Sequence, residues 1–252
     1  MSAENKVMKL LMLTLLSMVS GMLWSQRVET VDLGLSVKWA NMNVGAKSPE
    51  DYGDYFAWGE VSPKRYYGTY SKYKHFDAKC YRKYNYVSFG GSSVMDDCLR
   101  LQASDDAATK RMGKGWRMPT EDEMNELLDT AKCVISMGKL NGTRGLWVTR
   151  RKPKNDVKKS KQKHAAEKND SLFLPLAGYR DYGTYRFFPG TQCFYWTSTL
   201  LTQDSLASAK KDSLAEDMVN KAMCLGYTGE SAPAVGLLSR KNGCVIRAVR
   251  SK

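Results

Sequence analysis

The chain opens and closes its folded region on short apolar runs of strand type, and this constrains the fold more than any other feature. Val31, Leu33, Leu35, Val37 and Trp39 alternate with polar residues in bursts that continue to Val44, with Gly34 placed for a turn or bulge. Side chains of a strand point to opposite faces in turn, so a period of two buries one face of a sheet and predicts an antiparallel pair. The last apolar run, Cys244-Val245-Ile246-Arg247-Ala248-Val249-Arg250, is a further strand. Strands at both ends with helices between them predict an α+β domain whose termini meet in one sheet.

Between these ends, helical periodicity is confined to two short stretches. Ser104 is placed to cap a helix through Asp105, Asp106, Ala107, Ala108, Thr109, Lys110 and Arg111, with Gly113 at its end. Acids in front and bases behind agree with the helix dipole. Thr120-Glu121-Asp122-Glu123 has the form of a capping box. Met124, Leu127, Leu128 and Ala131 then fall at helical spacing and predict a core-facing stripe. Other segments have strand character: Tyr55–Glu60, Leu172–Arg180 and Phe194–Ser198. Val134–Met137 and Leu146–Thr149 predict a hairpin, with Gly138, Asn141-Gly142 and Gly145 breaking the runs and a connection longer than two residues. Gln203–Leu225, with Leu206, Ala209, Leu214, Ala215, Met218 and Met223, has the pattern of an added amphipathic helix. Trp39, Trp58, Trp116, Trp147 and Trp196 lie in strand-like or helix-adjacent blocks and are assigned mainly to the core.

The N-terminus carries targeting chemistry. Lys6 and Lys9 precede 17 uncharged residues, Leu10 to Gln26, rich in Leu and Met and ending in small residues before Arg27. A bilayer-spanning helix needs about 20 residues, so the segment fits a secretory signal peptide over 1–25, cleaved near Ser25–Gln26, better than a retained anchor. The expected product is an exported single domain, 26–252, placed in the periplasm, at the cell surface or outside. The formal charge is +13, and loss of Lys6, Lys9 and Glu4 lowers it by one. Cys80, Cys98, Cys133, Cys193, Cys224 and Cys244 all lie beyond the cut, and an even count in an exported chain predicts some disulfides beside some buried thiols. No Cys-x-x-Cys pair or tight Cys/His cluster is present, and His75 and His164 stand apart, so no metal or other cofactor is expected.

Several blocks, in order, carry a resemblance. They are Val31-Asp32-Leu33-Gly34-Leu35-Ser36-Val37-Lys38-Trp39-Ala40, Asn43-Val44-Gly45-Ala46, Pro49-Glu50-Asp51-Tyr52-Gly53-Asp54-Tyr55-Phe56-Ala57-Trp58-Gly59-Glu60, Asp105-Asp106-Ala107-Ala108, Gly115-Trp116-Arg117-Met118-Pro119-Thr120, Leu174-Pro175-Leu176-Ala177-Gly178-Tyr179-Arg180, Tyr195-Trp196-Thr197-Ser198 and Ile246-Arg247-Ala248-Val249-Arg250. Together they resemble the Fibrobacter succinogenes major paralogous domain, a family abundant in the Bacteroidetes lineage. The resemblance spans nearly the whole exported part. It implies a C-type-lectin-like fold related to the formylglycine-generating enzymes: mixed, mainly antiparallel sheets, two main helices and long irregular loops.

The resemblance does not bring catalysis with it. Formylglycine-generating enzymes use a close cysteine pair near the C-terminus to bind copper, whereas here Cys244 is followed by no partner and Cys224 lies twenty residues earlier. Nor does the chain contain Gly-x-Ser-x-Gly, His-Glu-x-x-His or a phosphate-cradling glycine loop. The calcium-dependent sugar motifs of C-type lectins are missing as well. The expected function is therefore an exported, non-catalytic binding or adhesion module of the envelope or surface. The alternative is a diverged protein of the formylglycine-generating fold with lost or altered chemistry.

Two surfaces are candidates for binding. In Arg65–Tyr86, Tyr66, Tyr67, Tyr70, Tyr73, Tyr81, Tyr84 and Tyr86 are interleaved with Lys72, Lys74, Lys79, Arg82 and Lys83. Such a loop either presents rings to a ligand or uses them to pin itself to the body. Arg150–Lys168 carries nine bases, Arg150, Arg151, Lys152, Lys154, Lys158, Lys159, Lys161, Lys163 and Lys168, against Asp156 and Glu167. That run reads as a solvated loop insertion able to attract polyanions. Glycans, acidic polysaccharides or envelope proteins are the expected partners, in preference to nucleic acid.

Overall fold

The computed structural model describes residues 28–77, 80–86, 96, 98–152, 170–201 and 218–252. The expected signal segment, most of the basic run and the first part of the expected helix at 203–225 lie outside these residues. The described architecture is α+β and mainly antiparallel, with two helices and long connections.

The termini share one sheet. β1 (Thr30–Val31) pairs with β2 (Val37–Ala40), and the last strand, β13 (Val249–Ser251), joins the other side of β2. Gly34 sits at φ 76°, the left-handed region that its turn needs, and Arg150 packs where a Cβ would stand. Trp39, at the centre of this sheet, is fully buried.

Two helices follow. α1 (Ala107–Met112) is capped by Asp106 rather than Ser104, since the Asp106 carboxylate accepts from Thr109 N at 2.9 Å and from Met118 N at 2.8 Å. Gly113 ends it at φ 86°. α2 (Glu121–Leu128) has the full capping box, with Thr120 Oγ1 accepting from Glu123 N and Glu123 Oε2 accepting from Thr120 N. Met124 and Leu127 are buried, but the helix stops at Leu128, which leaves Ala131 outside it and exposed.

β5 (Cys133–Leu140) and β6 (Thr143–Arg150) form a hairpin, joined by Asn141-Gly142 alone at φ 47° and 87°. This corrects the longer connection expected. Gly138 and Gly145 do not break the strands but pair with each other, and their missing Cβ atoms make room for the Trp147 and Phe173 rings. β7 (Ser171–Pro175) completes that sheet. The small hairpin of β8 (Tyr179–Arg180) and β9 (Arg186–Phe187) follows. A third sheet has the order β10 (Cys193–Trp196), β11 (Lys221–Tyr227), β12 (Ala234–Ser239). Met223 therefore lies on a strand, correcting the C-terminal end of the helix expected at 203–225.

Tyr55–Glu60 makes no continuous strand; Phe56 meets Cys244 in a single bridge. The closing segment is likewise strand-like only at Val249–Ser251, because Cys244 and Val245 bridge Phe56 and Tyr195 singly. Trp39, Trp58 and Trp196 are core, whereas Trp116 and Trp147 are half-buried. Cys98, Cys133, Cys193, Cys224 and Cys244 are all free, so none of the disulfides expected among those five is present. Cys133, Cys193, Cys224 and Cys244 pack as small apolar groups, and burial pushes the Cys224 thiol up to about 12. No helix of the described residues is long and apolar enough to cross a membrane.

Candidate functional site

The tyrosine-rich loop folds inward. It holds a short 3₁₀ turn (Tyr70–Lys72) and the strand pair β3 (Phe76–Asp77) and β4 (Cys80–Tyr81). Tyr67, Tyr73, Tyr81, Tyr84 and Tyr86 are buried. Their rings supply apolar area, and the hydroxyls of four of them find fixed partners. Tyr67 OH donates to Tyr55 O at 2.5 Å, Tyr73 OH to Trp58 O at 2.7 Å, Tyr81 OH to Asn220 Oδ1 at 2.8 Å and Tyr84 OH to Asp105 Oδ2 at 2.7 Å. Burial raises all of these hydroxyls, Tyr67 to about 12, so they remain neutral donors.

These rings thus pin the loop to the body. Buried Tyr67, Tyr73, Tyr81 and Tyr84 present no face to a ligand, which corrects their assignment as stacking residues. Tyr70 is half-buried, with Lys241 Nζ 4.3 Å from its ring. Lys72, Lys74 and Arg82 are exposed, and Lys74 is held by Asp105 at 2.9 Å. Of the tyrosines proposed, Tyr66 alone is well exposed, at 48%.

Tyr66 belongs instead to an aromatic surface built by β8, β9 and their flanks. Tyr67 and Gly183 exchange backbone hydrogen bonds, N to O, at 3.0 and 3.1 Å, which lays Tyr66 over Gly183. Within the hairpin, period-two alternation sorts the side chains. Tyr179 and Phe187 pair on one face with stacked rings 5.5 Å apart, and Phe194 meets Tyr179 edge-on at 5.2 Å. On the other face the Arg180 guanidinium lies 4.8 Å from the Tyr55 ring and Arg186 lies 5.1 Å from Tyr52. Tyr182 and Phe188 extend the first face, with ring centroids 6.4 and 6.2 Å from Phe187. Tyr182 is 75% exposed, Tyr185 70% and Phe188 50%.

This surface is held against its own backbone preference. Tyr182 and Phe188 stand at φ 44° and 55°, where a bulky side chain costs roughly 1–2 kcal/mol. Asp181 Oδ1 accepts from Tyr182 N at 2.8 Å, and Phe188 O accepts from Thr191 Oγ1 and Gln192 N, both at 3.0 Å. Arg180 and Gly243 clamp the hairpin through two backbone bonds of 2.7 and 2.8 Å. Gly178, at φ 64°, allows the approach, since a Cβ there would lie 2.0 Å from Phe187 O. Large rings fixed outward on a clamped hairpin can stack on a flat apolar face and offer phenol tips for hydrogen bonds.

Of the polyanion candidates, Arg150, Arg151 and Lys152 are described and exposed. Arg151 Nε donates to Thr130 O at 2.9 Å, and Lys152 pairs with Asp170 at 3.1 Å. Lys154, Lys158, Lys159, Lys161 and Lys163 lie outside the described residues. Tyr182, Tyr185 and Phe188 are not among the residues expected from the sequence; the signal for them is five aromatics within ten residues, Tyr179 to Phe188, around a glycine turn.

Compared with protein-family models, curated proteins and solved structures, the chain matches none of them.

Proposed function

We propose that the protein is an exported, non-catalytic recognition module that binds a glycan through the aromatic surface of Tyr66, Tyr182, Tyr185 and Phe188. The observation that carries this reading is the exposure of those four rings on and beside a clamped hairpin, two of them at a strained φ. Apolar surface concentrated in this way is characteristic of contact sites, and Tyr is the residue type that combines rigid area with a polar tip. A sugar ring presents an apolar face edged by hydroxyls, matching rings with phenol groups. Arg65, 5.5 Å from the Tyr66 ring, and half-exposed Asp181 provide charged partners at the margin.

Export rests on the basic and apolar N-terminal segment. The C-type-lectin-like fold and membership of the major paralogous domain family rest on the ordered sequence blocks and fit the α+β architecture with paired termini. Against the alternative of a diverged formylglycine-generating enzyme stands the sequence itself: Cys244 has no cysteine beside it in the closing segment, and Cys224 lies twenty residues earlier.

The test is binding of the full chain to a glycan array at low and high salt, beside the Tyr182→Ala/Tyr185→Ala variant. Both residues are exposed and touch no core, so the variant keeps its melting temperature. Salt-resistant binding that falls at least tenfold in the variant is expected. Binding left unchanged by the variant, or lost on deleting residues 153–169 instead, would overturn the reading in favour of simple charge attraction.

A further inference from the structure

A second surface, on the sheet of β5, β6 and β7, has a different chemistry. β5 is an edge strand: β6 occupies one side of it, and no described strand occupies the other. The tight Asn141-Gly142 turn makes Leu140 and Thr143 a hydrogen-bonded pair, and alternation along the ladder then fixes which groups face out. Gly138, Ser136 and Val134 bond to β6, while the N–H and C=O groups of Ile135, Met137 and Lys139 point to the open side. Cys133, next in that series, is already satisfied by Asp129 O at 2.8 Å.

A cavity of about 410 Å³ runs along this edge. Five consecutive residues, Cys133 to Met137, line it together with Leu146 of β6 and Leu128 and Thr130, so it takes in the edge of β5 and the adjoining face of the sheet. Tyr227 at the end of β11 and Ala232 and Pro233 of the β11–β12 connection line it as well. An extended residue occupies roughly 3.3 Å of rise, 4.8 Å of strand spacing and 10 Å of sheet depth, so the space takes about three residues. Val134 and Met137 remain 43% and 42% exposed there. Natural edges are usually blunted by charge, proline or cover, and Cys133–Met137 carry neither charge nor proline.

We infer that this edge receives an extended peptide segment of a partner protein, which adds to the sheet as a strand beside β5. Outward groups at Ile135, Met137 and Lys139 repeat every second residue, a spacing that an extended backbone matches. Apolar residues at alternate positions of the guest meet Val134, Ile135 and Met137. Arg151 lines the groove, Lys139 follows along the strand, and no carboxylate is among the described residues that line the cavity, so the guest carries acidic ends. A second copy fits less well, because its β5 would bring its own Tyr227–Pro233 wall into the space that the added strand must occupy.

The experiment uses the full chain and a fluorescein-labelled peptide, Glu-Thr-Val-Thr-Val-Thr-Glu, followed by fluorescence anisotropy. Met137→Pro deletes an outward donor while sparing the bonds to β6, so thermal stability is retained and affinity falls at least tenfold. Met137→Ala loses less than Met137→Pro, and a peptide N-methylated at alternate residues binds at least tenfold more weakly to the unaltered chain. Equal binding of the methylated and plain peptides, or no saturable binding at all, would overturn the inference. So would a concentration-dependent dimer in sedimentation that Met137→Pro abolishes, which assigns the edge to a second copy.

Discussion

Asp105 is 4% exposed and receives three donors from the tyrosine-rich loop: Lys74 Nζ at 2.9 Å, Lys83 Nζ at 2.5 Å and Tyr84 OH at 2.7 Å. Burial alone would raise its carboxyl, but the bonds from Lys83, Tyr84 and Lys74 outweigh this and hold it below the ordinary 3.8. A carboxyl with a lowered folded pKa contributes stability that is complete above its ordinary value and disappears as the pH falls through the folded one. His75 adds an earlier loss. Burial lowers its pKa from 6.5, so acid must charge a buried ring, and this weakens the fold progressively below that value. Urea unfolding from pH 7 to pH 2 is therefore expected to show stability falling in two stages. Asp105→Asn removes the lower stage and lowers stability at pH 7 by about 2 kcal/mol, the scale of a hydrogen bond to a charged group. A variant that keeps the full acid dependence below pH 4 would show that another carboxylate governs it.

At the scale of elements, α2 depends on a residue with two tasks. Glu123 completes the capping box through Thr120 N at 2.9 Å and also receives Arg117 through two bonds of 2.7 and 2.5 Å. Thr120→Ala loses only the cap and is expected to cost about 1 kcal/mol. Glu123→Ala loses the acceptor of Thr120 N and strands the half-buried Arg117, so its cost in chemical denaturation exceeds that of Thr120→Ala; equal costs would mean that Arg117 gains nothing from the pair. The box was legible in four letters because its bonds are local. So was the first hairpin around Gly34. Elements set by distant partners were not. Ser104 and Asp106 are both good caps, and what selects Asp106 is its second oxygen reaching Met118 N, across the helix. Gly138 looked like a strand break because a cross-strand ring, Trp147, is what fills the space beside it. The aromatic surface was hidden for the same reason. Tyrosines at 67, 73, 81 and 84 and those at 182 and 185 have the same composition. Only the first group finds fixed acceptors, Tyr55 O, Trp58 O, Asn220 and Asp105, supplied by remote parts of the chain.

The whole molecule is closed by its last nine residues, and Arg247 is the group through which the closing segment holds the rest. It is fully buried and has no carboxylate beside it; burial lowers its pKa to about 10. Its Nε donates to Asn43 Oδ1 at 2.9 Å, Nη1 to Ala40 O at 3.1 Å and Nη2 to Phe173 O at 2.8 Å. One planar fork thus ties the terminal sheet, the loop after β2 and the middle sheet to a segment more than 200 positions from the first of them. Backbone bonds run in parallel, from Ala40 N to Ala248 O at 2.8 Å and from Val44 N to Ile246 O at 3.0 Å. A buried cation is tolerable only while all its donors are used, and a lysine ammonium cannot reach three acceptors spread around a guanidinium plane. Arg247→Lys is therefore expected to destabilise the protein by about 3–5 kcal/mol, close to the effect of breaking a buried ion pair. Arg247→Met removes the charge but leaves Asn43 Oδ1 and two carbonyls unpaired, so it also destabilises, without the pH dependence of a buried amine. The two variants separate in a pH series of denaturant midpoints: Lys recovers stability as the pH rises towards its own deprotonation, and Met does not. Coincident midpoints at every pH would show that geometry alone, and not the buried charge, is what Arg247 contributes to holding the ends of the chain together.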